Sequence, residues 1–167
     1  MKMKIALIGA SGNVGSRLAA ELSSRGHDVT AIARRVNRIA ALPRVVPTAV
    51  DIADTDALAA VLEGNAAVIS SVHFTASDPE KLIAAVKAAR VPRYLVVGGA
   101  GSLQVAPGKL LVDSPDFPKE YEPEARAGGA FLERLRAEKD RRETGMAAAS
   151  RPRGGGFVES VAPAAPM

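Results

Sequence analysis

Short apolar runs alternate with longer stretches of helical spacing through the first hundred residues. Ile5, Leu7 and Ile8 make a run suited to a strand covered on both faces, and Val14, Leu18 and Leu22 at i, i+4 and i+8 mark a helix that Gly26 ends. Residues 28–33 (DVTAIA) supply a second strand, so the chain opens with one βαβ unit. A short helical piece at 36–42 leads through Pro43 to a third strand at 45–50, and Asp54 caps a helix carrying Leu58, Val61 and Leu62 that Gly64 closes. The fourth strand is predicted at 67–71. Ser77 and Glu80 have capping-box spacing with Pro79 in the first turn, and Leu82, Ile83, Val86 and Ala89 form the buried stripe of the helix they begin. A fifth strand follows at 93–97. Residues 103–121, which include Pro107, Gly108, Pro115 and Pro118, show no clear period and read as a long loop. A helix from about 122 to 142 places Phe131, Leu132 and Leu135 inward, with Gly128 and Gly129 weakening its first half. Strands and helices that alternate in this way predict an α/β fold: a Rossmann-like doubly wound parallel sheet in the order 3-2-1-4-5, helices on both faces, joined by right-handed crossovers.

The glycines after the first strand, Gly9, Gly12 and Gly15, carry the chemistry. Gly9 permits a tight turn off the strand, Gly12 lets backbone approach a pyrophosphate, and Gly15 lets the helix pack closely on the sheet. The helix N-terminus then offers free N–H groups to an anion. Strand, glycine turn, helix and second strand in succession predict a nucleotide site, with ligand outside the carboxyl ends of the strands. Arg34 and Arg35 stand after the second strand, Arg34 19 residues past Gly15, where an acidic residue would accept from the ribose 2′-hydroxyl of NAD. A guanidinium there pairs with a 2′-phosphate, so NADP(H) is expected over NAD(H), the alternative being two arginines that solvate a loop. Asp51 and Ile52 can meet an adenine amino group and ring face, or Asp51 is simply a turn residue. Ser71 and His73 lie at the end of strand four, where the nicotinamide and substrate would sit, and His73 otherwise reads as a loop histidine. The run Gly98-Gly99-Ala100-Gly101-Ser102 brings backbone close to the same region, and Ser102 is its hydroxyl.

Composition narrows the function classes. The 167 residues, 47% apolar and 24% charged, fit one domain with a real core. The absence of cysteine excludes a disulfide framework, a thiolate metal site and a cysteine nucleophile, and no metal site is expected. The net charge of +4 is spread among scattered basic residues with only four Phe and two Tyr, which argues against nucleic acid as a partner. No stretch is long enough for a membrane span, and the N-terminal apolar run, broken by Gly9, Gly12, Asn13 and Arg17, is a poor signal-peptide core; a cytoplasmic protein is expected.

GASGNVG at 9–15, VDIAD at 50–54 and LVVGGAGSL at 95–103 together resemble the atypical short-chain dehydrogenase/reductase group, in particular its NAD(P)H-binding NmrA-like and NADH-flavin-reductase-like members. The resemblance covers residues 1 to about 140 and implies that Gly9, Ser11, Gly12, Asn13, Val14 and Gly15 hold the pyrophosphate, Arg34 and Arg35 the 2′-phosphate, and Asp51 and Ile52 the adenine. It implies an oxidoreductase that passes a hydride from NADP(H) to a small acceptor such as a flavin, quinone or carbonyl compound. Two departures qualify it. Classical members carry a Tyr with a Lys four residues on, whereas Tyr94 is followed at that spacing by Gly98 and Tyr121 by Ala125, which leaves Tyr121, near Lys119, as a candidate proton donor or a packed loop tyrosine. Members also continue into a sixth strand and a substrate-binding portion. Here residues 141–167 become rich in Ala, Pro, Gly and Arg, an expected disordered tail that would leave strand five at the sheet edge. A non-catalytic NADP(H) sensor, and a truncated remnant that binds cofactor poorly or folds only as a homodimer, are the competing readings.

Overall fold

The alternation of covered and open positions in each strand determines which helix it meets. In the computed structural model, which describes residues 1–146 and the pair Ser160–Val161, with side chains through Glu138, the first strand β1 (Lys4–Ile8) lies at the centre of the sheet. It pairs in parallel with β2 (Asp28–Ala33) on one side and β4 (Ala67–Ser70) on the other. β3 (Val45–Ala49) flanks β2, and β5 (Tyr94–Val97) flanks β4, which gives the expected order 3-2-1-4-5. Leu7, Val29 and Ala31 turn to the face covered by helix α1 (Asn13–Ser24), where Leu18, Ala19 and Leu22 pack on them. Ala6, Ile8, Ile32 and Val68 turn to the opposite face, covered by α2 (Thr55–Leu62), α3 (Pro79–Ala88) and α4 (Glu122–Met146). Both faces of the sheet are therefore buried, as near-continuous apolar strands require.

Several local expectations shift. The residue that caps α3 is Asp78, whose carboxylate accepts from the Glu80 and Lys81 amides, while the Ser77 hydroxyl donates to the His73 carbonyl at 2.9 Å. Pro79 does occupy the first turn. The segment expected to be a structureless loop contains an antiparallel hairpin, β6 (Gln104–Ala106) and β7 (Lys109–Leu110), which turns at Gly108 with φ +72°. Helix α4 runs on to Met146, past its expected end at about 142. A two-residue strand β8 (Ser160–Val161) pairs in parallel with Val96 and Val97, so β5 is covered at its end and is not the sheet edge there. The expectation of disorder for the rest of the tail lies outside the described residues.

Candidate nucleotide cleft

The turn that leaves β1 is tied down by its own backbone. Gly9 adopts φ +84°, and the Gly9 and Ala10 amides both donate to the Ile32 carbonyl, at 2.9 and 3.1 Å, so the loop is fastened to β2. A Cβ on Gly9 would lie 2.2 Å from the Ser71 carbonyl oxygen, and one on Gly15 would lie 2.0 Å from the Gly9 carbonyl oxygen. Side chains at these two positions would force the loop away from β4 and α1 away from the loop. At Gly12 a Cβ would meet its nearest atom at 3.4 Å, an ordinary contact, so the protein's own packing leaves that surface open toward the cleft.

Gly12 is also the N-cap of α1, with no side chain accepting from the helix amides and no acidic residue in the first turn. The leading amides of an α-helix have no partner within the helix, so those of Asn13, Val14 and Gly15 present their N–H groups and the positive end of the helix dipole to the space above Gly12. Val14, expected on the buried stripe of α1, is 39% exposed and lines this space instead.

That space is the mouth of a cleft of about 930 Å³ that crosses the carboxyl ends of the strands. At one end stand Arg34, Asp51 and Ile52. Arg34 is exposed and lacks an acidic partner among the described residues, while Arg35, equally exposed, lies outside the cleft wall. Only one of the two arginines is therefore placed for the 2′-phosphate role. Asp51 Oδ1 accepts from the Ala53 amide at 3.0 Å, a turn contact, and the residue also lines the cleft beside half-buried Ile52. Lys81 of α3 donates to the Ala53 carbonyl at 3.0 Å and braces the same wall.

The other end is built by Ser71, Val72 and His73 after β4, and by Gly98 and Gly99 after β5. Ser71 is held by its amide, which donates to the Ile8 carbonyl at 2.9 Å. His73 is 84% exposed into this end and has an acid that spacing could not reveal: Nδ1 lies 3.4 Å from Oε1 of Glu124. Glu124 projects from the first turn of α4 and accepts from the Phe74 amide at 2.7 Å, the Thr75 amide at 3.0 Å and the Thr75 hydroxyl at 2.8 Å. Burial acting alone would raise its carboxyl; the hydrogen bonds from Thr75 and Phe74, with His73 nearby, outweigh burial and hold it below the usual carboxylate value. The Phe74 ring in turn seats over Gly128, where a Cβ would approach it to 2.9 Å, and meets Phe131 edge-on at 5.7 Å. Glu124, Thr75 and Lys81 are cleft residues that sequence reasoning missed, and Gly128 is the unforeseen seat of the Phe74 ring.

Two expected catalytic residues are elsewhere. Ser102 sits in a 3-10 turn pressed against α4 and, with Phe131 and Leu132, lines a small gap that adjoins the cleft through Phe74, Gly98 and Gly99, because α4 packs so close to the preceding Gly101 that a Cβ there would come within 2.5 Å of Ala125. Tyr121 is 61% exposed and is absent from the cleft wall. The remaining tyrosine, Tyr94, is buried against Ser70, their hydroxyl oxygens 3.1 Å apart, and burial pushes its phenol far above the ordinary value despite that bond. Among the described residues no group of three or more metal-ligating side chains occurs, and no helix is long and apolar enough to cross a membrane.

A dinucleotide fits what is present. The open amides above Gly12 match a diphosphate, Arg34 a further phosphate, and the cleft volume lies in the range of roughly 300–1,000 Å³ usual for small-molecule sites. Comparison with known proteins agrees. Residues 9–146 match a family model described as NAD(P)H-binding. The uncharacterized protein YwnB of Bacillus subtilis is 42% identical over 142 residues, which cover 80% of this chain and 65% of the relative. A solved structure from Bacteroides thetaiotaomicron, described as an epimerase, shares 39% identity over 77% of this chain and 62% of its own, with a TM-score of 0.72. A structure from Streptococcus pneumoniae, described as an NADH-flavin reductase, shares 35% identity over 81% of this chain and 66% of its own, with a TM-score of 0.62. The chain thus spans less than two thirds of the length of each of these three relatives.

Proposed function

The chain belongs to the NAD(P)H-binding family, and from that premise we propose that it is an NADP(H)-dependent reductase of the atypical short-chain dehydrogenase/reductase type, acting on a small acceptor such as a flavin, quinone or carbonyl compound. The observation that carries the cofactor choice is Arg34: a cation without an acidic partner, on the cleft wall just past β2, where an acid would repel a 2′-phosphate. When bound, the reduced nicotinamide supplies the hydride. The residues of this chain bind and orient. The amides of Asn13, Val14 and Gly15 hold the diphosphate, Arg34 holds the 2′-phosphate, and Asp51 with Ile52 receives the adenine. Gly98 and Gly99 give a floor without side chains at the far end, and His73, with Glu124 behind it, is the titratable group placed there to hand a proton to the reduced acceptor.

Because the chain has no tryptophan, the emission of the reduced cofactor can be followed without indole background. Titration is expected to show NADPH bound more tightly than NADH, and Arg34→Ala to weaken NADPH by about 10- to 100-fold while leaving NADH nearly unchanged, as the loss of a charge-assisted hydrogen bond implies. Equal affinities for the two cofactors would contradict the assignment. Oxidation of NADPH across a panel of flavins, quinones and aldehydes tests the reductase itself.

One observation favours a second reading. Among the described residues no tyrosine lines the cleft, Tyr94 being buried and Tyr121 outside it. A protein that senses NADP status and passes it to a partner needs no such group, and would show partner capture that differs between NADP and NADPH with no turnover.

A further inference from the structure

The far end of the cleft is lined by a loop, and that loop is gripped from behind. Resting on the reductase reading above, we propose that Glu124 is a positioning residue for the nicotinamide end of the cleft, fixing the 73–75 loop so that His73 and Thr75 meet the reduced ring and the acceptor in one arrangement. An acid in the first turn of a helix usually serves the helix dipole from solvent. Glu124 does something else: it points out of α4 to a loop 50 residues earlier in the chain, and its two oxygens divide the loop's donors between them. Oε1 takes the Phe74 amide and faces His73 Nδ1, while Oε2 takes both the amide and the hydroxyl of Thr75. A second, independent contact locks the same loop, because the Phe74 ring fills the notch that Gly128 leaves in α4 and abuts Phe131. Charge and packing from one helix thus converge on three consecutive residues of the wall at this end of the cleft. His73 makes no other ion pair among the described residues.

Glutamine at 124 would keep the shape and lose the grip, since its single oxygen can serve only one of the two sets of donors and its NH2 would confront the other. The test uses the full chain with NADPH as probe and compares wild type with Glu124→Gln and with Thr75→Val, which at an exposed position removes only the hydroxyl donor. Three quantities are read: hydrogen exchange of the Phe74 and Thr75 amides, exchange of the β1 amides as a control for the fold, and the affinity and emission of bound NADPH. In Glu124→Gln, exchange at Phe74 and Thr75 is expected to quicken by about tenfold or more with β1 unchanged. The emission of bound NADPH should fall toward that of free cofactor, while the affinity, set at the diphosphate and Arg34, moves by less than about threefold. Thr75→Val should lower the emission in the same direction by a smaller amount. Unchanged exchange in Glu124→Gln, or quicker exchange with the emission unmoved in both variants, would overturn the proposal, the latter by reducing Glu124 to a structural brace. Failure of wild type to bind NADPH at all would instead defeat the reductase reading, and this inference with it.

Discussion

A methyl group is enough to separate the roles of the three cradle glycines. At Gly15 it would collide with the Gly9 carbonyl, and at Gly9 with that of Ser71, so both are required by packing, whereas at Gly12 it would meet nothing nearer than 3.4 Å and packing does not require the glycine. Charge at single residues is equally uneven. Glu138, nearly covered between α4 and α3, is bonded by Lys87, which is the main reason its carboxyl is held at about 2, with burial opposing and Arg134 adding to the effect. A carboxyl depressed by folding stabilises fully above its unfolded value of about 4.5 and loses that contribution as the pH falls toward 2. Glu138→Gln is therefore expected to cost about 1–2 kcal/mol near neutral pH, with the melting curves of variant and wild type converging as the pH drops from 4.5 toward 2, a comparison for thermal denaturation. Roles that depend on a local turn, such as those of Gly9 and Gly15, were legible in the sequence, because strand, glycine and helix follow one another directly. The partner of His73 was not, since Glu124 reaches it only through the fold. Arg34 and Arg35 were indistinguishable as letters, and only the direction of the wall separates them.

Among the elements, α4 departs furthest from what its pattern implied. Two successive glycines read as a weakness, yet they differ: a Cβ on Gly128 would come 2.9 Å from the Phe74 ring, whereas one on Gly129 would meet only Ser102 Cβ at 3.8 Å. Replacing glycine by alanine inside a helix gains up to about 1 kcal/mol, so Gly129→Ala is expected to raise stability by that order. At Gly128 the same gain is opposed by a clash that costs about 1–3 kcal/mol in a packed interior. Gly128→Ala should therefore fail to stabilise and should displace Phe74, which chemical denaturation and the exchange rate of the Phe74 amide would report together. The position of α4 also explains why Ser102 and Tyr121 lie off the wall of the main cleft. The helix begins immediately after Tyr121, which stays exposed, and packs onto the turn that holds Ser102, whose Cβ lies beside Gly129. Neither outcome is written in residue type or spacing.

For the molecule as a whole, the sheet order was readable because buried parallel strands leave apolar runs punctuated by caps and glycines, and those signals were present for all five of the central strands. The short β8 was not, since Ser160 and Val161 lie in a stretch without apolar period and are identified as strand only by pairing with β5. The two ends of the cleft differ in the same way. The mouth of the cleft, above the turn at 9–14, is made by nearly consecutive residues, and the His73 end by three segments distant in sequence, so the mouth is better specified by sequence than that end. The central claim is that a dinucleotide rests its diphosphate on the open amides of α1, and backbone amide NMR during titration with NADP tests it most directly. The account predicts that the largest shifts fall on Gly12, Asn13, Val14 and Gly15, with Arg34 following; binding that leaves these amides in place while others move, or no shift at saturating NADP, would contradict it.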